Sequence, residues 1–163
     1  MEVAPIRKNG HQDLSGNVGD IMRRDAGFTL VEMMIVVVVI GILAAVAIPN
    51  FVAMQSRARE AGTKANMHTF QLAAEDYAVM NDGRYSTDAS AVITLVPGGE
   101  GNFRNSFSGT TGVGVAWENR DAMDVAASTI QGITSYSDSN AYTYNVKGFG
   151  KATAILIVLT SGR

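Results

Sequence analysis

Residues 28–51 read FTLVEMMIVVVVIGILAAVAIPNF, 24 residues in which Glu32 is the single charge. As a helix rising 1.5 Å per residue this run extends roughly 36 Å, enough to cross a hydrocarbon layer of about 30 Å. Such a run does not sit on the face of an ordinary water-soluble domain, because it is apolar all round. Arg23 and Arg24 lie immediately before it, which by the positive-inside bias predicts a cytoplasmic N-terminal side and a remainder beyond the membrane.

The segment before the run is hydrophilic. Residues 1–27 set Arg7, Lys8, Arg23 and Arg24 against Glu2, Asp13, Asp20 and Asp25, with no apolar stretch able to make a core. A secretory signal places its apolar stretch before the cut and loses it. Here the order is reversed, since the polar leader ends in Arg23-Arg24-Asp25-Ala26-Gly27 and the apolar run follows as Phe28-Thr29-Leu30-Val31-Glu32. At these residues, and on through Ala44-Ala45-Val46-Ala47-Ile48-Pro49-Asn50-Phe51, the sequence resembles the type IV pilins and the pseudopilins of type II secretion. The resemblance implies cleavage by a prepilin peptidase between Gly27 and Phe28, N-methylation of Phe28, and retention of the helix as both anchor and polymerisation element. It also implies translation from Met22, which leaves the short basic leader MRRDAG, whereas residues 1–21 have no evident physical role.

After Phe51 the pattern becomes amphipathic. Met54, Ala58, Ala61, Ala65 and Leu72, then Phe70, Ala73, Tyr77 and Met80, recur at helical steps, while Arg57, Arg59, Glu60, Lys64, Glu75 and Asp76 fill other positions. Asn81-Asp82-Gly83 supplies residues that tolerate a left-handed backbone, so the helix is expected to stop at Met80, about 80 Å from Phe28. The remaining chain is rich in glycine and short apolar runs. Candidate strands are 92–95, 113–117, 130–136, 142–147 and 154–159, the last two forming a hairpin around Gly148-Phe149-Gly150-Lys151. The expected fold is therefore α+β, a long N-terminal helix whose amphipathic half packs on a small antiparallel sheet. Its parts are a leader at 1–27, a membrane and assembly segment at 28–51, an amphipathic half at 52–80 and a head at 81–163.

Several chemistries are excluded or disfavoured. A net charge of −2 with 17% charged residues offers no electrostatic footprint for nucleic acid. With no cysteine there is neither a thiol nucleophile nor a cysteine zinc site. His68 is the only histidine after residue 27 and has no second histidine to act with. The glycine-rich stretches at 98–101 and 109–114 lack the strand–loop–helix setting and the lysine of a phosphate loop. Tyr77, Tyr85, Tyr136, Tyr142, Tyr144 and Trp117 read as packing between helix and sheet. No enzyme and no cofactor is indicated. Asp121, Asp124 and Asp138 are oxygen donors of the kind calcium takes, as a loop of the major pseudopilins does, but their spacing follows no calcium pattern and solvated loop acids are the commoner explanation.

Glu32 carries two readings. A carboxylate inside a membrane run needs a partner, and the resemblance names the new α-amino group of Phe28 on an adjacent subunit. Thr29-Leu30-Val31-Glu32 is also a T-x-x-E capping box, in which the glutamate satisfies a backbone N–H at the helix start. Gly41 and Pro49 weaken the helix, Pro49 by removing the hydrogen bond to Ala45, consistent with the partly melted segment of assembled filaments in the family. The resemblance implies a major pilin that polymerises with itself after processing. Its partners would be the prepilin peptidase, an inner-membrane platform with its ATPase, and lipid before assembly, on a route from inner membrane to extracellular pilus. The alternatives are a major pseudopilin in the periplasm and a membrane-anchored binding domain that never polymerises.

Overall fold

The computed structural model describes residues 27–162, and the leader lies outside them. Its contacts divide the chain after Gly41 into two units, each described by itself.

In the first unit the chain is non-helical from Gly27 to Thr29 and enters α1 (Leu30–Met80, 51 residues) at Leu30. A reciprocal cap sets that start: Glu32 N–H donates to Thr29 Oγ1 (3.2 Å), and Thr29 N–H donates to Glu32 Oε2 (2.8 Å). The large apolar side chains of this unit among the described residues are all exposed, with Phe28 at 79%.

The second unit contains the rest of α1. The helix is unbroken at Gly41 and at Pro49, and Asn50 Nδ2 donates to the Val46 carbonyl (3.2 Å) one turn back. Farther on, Thr63, Met67, Phe70, Ala73, Ala74 and Ala78 are buried. Their spacing of three to four residues draws one stripe, the face laid on the head. Asn81-Asp82-Gly83 ends the helix: Asp82 and Gly83 take φ of 55° and 78°, and the Gly83 N–H returns to the Ala78 carbonyl (2.8 Å).

A second helix, α2 (Ala89–Ile93), stands where a strand was expected at 92–95. The Asp88 carboxylate accepts the Ser90 N–H (2.8 Å) and caps it, and Val92 and Ile93 then face the core. The sheet holds β1 (Trp117–Asn119), β2 (Thr134–Ser139), β3 (Thr143–Gly148) and β4 (Leu159–Thr160) in that order. The pairs β2/β3 and β3/β4 are antiparallel, but β1 runs parallel to β2, with Trp117 opposite Thr134, so the sheet is mixed and not wholly antiparallel. Of the strand expected at 113–117 only Trp117 belongs to β1. Left-handed Gly112 and Gly114 turn the chain back, so that Ala116 and Trp117 both donate to the Gly112 carbonyl. Of 130–136 only the part from Thr134 is strand, because Gly132 (φ 82°) turns against Asn105, where a Cβ would lie 2.3 Å from Oδ1. Of 154–159 only Leu159 lies in β4; the hairpin turns at 150–153, where Phe149 bridges Ala154 and the Gly150 N–H donates to the Thr153 carbonyl (2.8 Å), and strand pairing resumes only at Leu159. The tight hairpin is β2/β3, whose turn residues Asn140 and Ala141 have φ of 56° and 59°.

The core is aromatic. Phe70 meets Phe103 and Tyr136 (centroids 5.7 Å each), Tyr136 stacks on Tyr144 (5.7 Å), and Tyr144 meets Tyr85 edge-on (4.6 Å). Each such buried ring contributes about 2–3 kcal/mol of apolar transfer. The 98–112 loop is tied to α1 by Asn66 Nδ2 donating to the Arg104 carbonyl (2.7 Å) and by close approach at Gly62, where a Cβ would lie 2.9 Å from Ser106 Cβ.

Candidate assembly site

The N-terminal segment is an apolar surface with one built polar feature. Leu30, Val31, Met34, Ile35, Val37, Val38 and Ile40 are all exposed, and α1 contains an 18-residue window apolar enough to cross a membrane, none of it buried. A continuous apolar face of this extent needs lipid or a partner helix around it. Within it the Glu32 carboxylate is organised, because Oε2 accepts both the Thr29 N–H and the Thr29 hydroxyl (2.8 Å each). Capping holds the carboxylate at the N-terminal end of the helix. The capping-box reading of Glu32 is thus what the single chain displays. Gly27 and Phe28 are both exposed at the expected cut, while Met22, Arg23 and Arg24 lie outside the described residues.

The three loop acids come together but do not make a cation site. Asp121, Asp124 and Asp138 line one open surface hollow with Ser139 and Asn140. Asp138 Oδ2 is engaged by the Ala141 N–H (3.1 Å), and no group of three acidic, histidine or cysteine side chains among the described residues is placed to hold a metal. The backbone carbonyls of the same loop are also taken. Arg120 Nη1 donates to Val125 O (2.7 Å), and Lys147 Nζ donates to Met123 O (2.7 Å) and Val125 O (2.9 Å). The carbonyl oxygens of the loop that calcium takes alongside carboxylates are thus engaged by the chain's own cations.

Sequence reasoning passed over that clamp. Arg120 is 5% exposed and bonded entirely to oxygens of neutral groups, its Nη2 reaching Asn145 O (3.2 Å) and Asn145 Oδ1. Burial lowers its pKa, opposed by Glu118; Lys147 is lowered by partial desolvation and by Arg120, opposed by Asp124. The one signal available was the alternation Asn145-Val146-Lys147 on a predicted strand, which puts Asn145 and Lys147 on one face. His68 is exposed on α1 and meets Gln71 Oε1 (3.2 Å), with no second histidine near it among the described residues.

The described residues thus combine a helix long and apolar enough to cross a membrane, with a capped glutamate in its first turn, and a small α+β head. Residues 22–48 match the prokaryotic N-terminal methylation motif. The chain is 45% identical over 69 residues to the type IV major pilin of Myxococcus xanthus, a match covering 42% of this chain and 31% of that one. It is 39% identical over 74 residues to a type IV wide pilus major component of Thermus thermophilus, covering 45% and 56%. It is 34% identical over 74 residues to the type II secretion system core protein G of Aeromonas hydrophila, covering 45% and 51%. The chain thus spans less than two thirds of each of these relatives. No solved structure matches it. In this motif and this helix the chain is similar to the type IV pilins and to the pseudopilins of type II secretion.

Proposed function

We propose that this chain is the major pilin of a type IV pilus, a structural subunit without enzymatic activity. It is cut between Gly27 and Phe28, methylated at Phe28, and polymerised through α1. The observation that carries the reading is the exposed apolar start of α1 with the Glu32 carboxylate held at its N-terminal end by Thr29. Before assembly the helix is anchored in the inner membrane, with the Arg23-Arg24 side cytoplasmic. Afterwards Glu32 pairs with the Phe28 ammonium of the adjacent subunit, and the filament supports adhesion, motility or DNA uptake. A prepilin peptidase, a membrane platform and an ATPase act on it. Gly41 and Pro49 supply the place where the helix loosens on assembly, although it is unbroken in the single chain.

A pseudopilin of type II secretion is the second reading, favoured by the match to core protein G. Shearing cells and measuring the intact mass of the released fibres tests both. The expected result is surface fibres containing a chain that begins at methylated Phe28. A mature N-terminus beyond Pro49 overturns either reading; a correctly cut chain with no surface fibre, together with a secretion defect on its deletion, favours the pseudopilin.

A further inference from the structure

Near its C-terminus the chain holds six apolar residues in a row, Ala154-Ile155-Leu156-Ile157-Val158-Leu159, all but alanine strong strand or core formers. Ala154 makes a single antiparallel bridge to Phe149, and of the rest only Leu159 joins the sheet. Leu156 is 98% exposed, and Ile157 and Val158 stand out beside it at 49% and 45%. This is not a loose tail. Ile155 packs on the core and its N–H donates to Gly148 O (2.8 Å), Lys151 N–H donates to Glu60 Oε1 on α1 (3.1 Å), and Gln131 Nε2 donates to Lys151 O (2.7 Å). A fully exposed leucine held up on a fixed base is a knob.

A second apolar feature lies on another flank of the same helix. Phe107, Val115 and Ile130 line a shallow groove of about 350 Å³, with Arg59 at its rim. The knob borders Glu60 and Lys64, the groove Arg59. At 100° per residue these positions lie about 100–140° apart around α1 and within two turns of the same height. A knob and a groove on different flanks cannot meet within one chain. They complement each other between copies whose helices run parallel, and such a heterologous contact propagates into an open helical assembly.

The geometry points to a second intersubunit contact, in which Leu156, Ile157 and Val158 of one copy seat in the Phe107–Val115–Ile130 groove of the next. The occupant is a second copy of this chain because both features flank the helix through which the copies polymerise, so the contact continues that interface into the heads. This rests on the filament reading above. It commits the head to assembly and gives a parallel helix bundle a defined rotation.

The absence of cysteine makes the contact directly testable. Leu156→Cys is introduced alone and together with Ile130→Cys, and sheared fibres are oxidised and run without reductant. The double variant is expected to give a ladder of multimers and each single variant none. The Leu156→Cys thiol is expected to react with a membrane-impermeant maleimide in the unassembled Glu32→Gln protein and to be shielded in fibres. Leu156→Asp, which alters no buried position, is expected to lower fibre yield roughly tenfold with normal processing, the loss expected when a charge replaces an apolar anchor. A thiol open in fibres, or shielded already in the unassembled membrane form as lipid contact would make it, overturns the proposal. So does a ladder from Leu156→Cys alone, or full fibre yield from Leu156→Asp. Absence of wild-type fibres would instead sink the filament reading on which it stands.

Discussion

At Arg120 a guanidinium is held inside the head with no carboxylate hydrogen-bonded to it among the described residues, by Val125 O, Asn145 O and the Asn145 side chain. Removing it leaves those acceptors unsatisfied and unties residues 122–125. Arg120→Met is expected to lower head stability by about 3 kcal/mol, and Arg120→Lys to recover only part of it, since a point ammonium cannot span both sets of acceptors. Urea unfolding followed through the single tryptophan, Trp117, reads this directly. Glu32 poses a different question, because its cap and its proposed pairing use one carboxylate. Gln keeps the reach and an acceptor for the Thr29 N–H while removing the charge. If the pairing operates, Glu32→Gln protein is inserted and cut after Gly27 but fibre counts fall to background. Normal fibres from that variant would leave only the cap. The T-x-x-E spacing made the cap readable from four residues, because both partners sit in one turn. Arg120 was not readable, because its acceptors come from residues up to 25 positions away.

Between elements, α1 and the sheet are joined by a tyrosine cluster whose hydroxyls converge on the helix. Tyr144 and Tyr85 both donate to the Glu75 carboxylate (2.7 and 3.0 Å), and Tyr136 donates to Ser86 O (2.7 Å). Burial is the main cause that raises the pKa of both Tyr136 and Tyr144 above the ordinary tyrosine value of 10.0, assisted at Tyr144 by its bond to Glu75 and at Tyr136 by Asp138. With the folded pKa above the unfolded one, the folded state holds its phenolic protons more tightly. The resulting stability is fully present below pH 10 and is lost as pH rises beyond it. Denaturation midpoints are therefore expected to hold from pH 8 to 9.5 and to fall above pH 10. Tyr144→Phe should weaken that alkaline slope while costing about 1–2 kcal/mol at neutral pH. A slope unchanged in Tyr144→Phe would mean that Tyr144 does not carry it. These tyrosines were expected as packing residues between helix and sheet. The convergence of two of them on Glu75 depends on the β2/β3 register, which no local pattern states.

For the whole molecule, the filled carbonyls of the 121–125 loop predict a head that needs no divalent ion. A loop calcium at a hundredfold excess over its Kd would add about 2.7 kcal/mol, so chelation would lower Tm by several degrees. EGTA is expected to leave the Trp117-monitored melting curve of the detergent-solubilised chain in place. A clear downward shift, reversed by calcium, would show that Asp121, Asp124 and Asp138 hold an ion after all. The absence of cysteine points the same way, toward a head that relies on its aromatic core and internal cations for stability.

The sequence by itself determined the long helix, because an apolar run from Phe28, a three- and four-residue stripe and the Asn81-Asp82-Gly83 stop are all local signals. The β3 strand was equally legible, since Tyr142 to Lys147 alternates and ends at glycine. Tertiary structure decided what local signals leave open. Val92 and Ile93 became helical because Asp88 capped a turn that buries both side chains. Trp117 joined a parallel pair because its partner, Thr134, lies beyond a loop. The apolar run at 155–158 stayed off the sheet because the last strand pairs only at Leu159 and Thr160, which left Leu156 exposed.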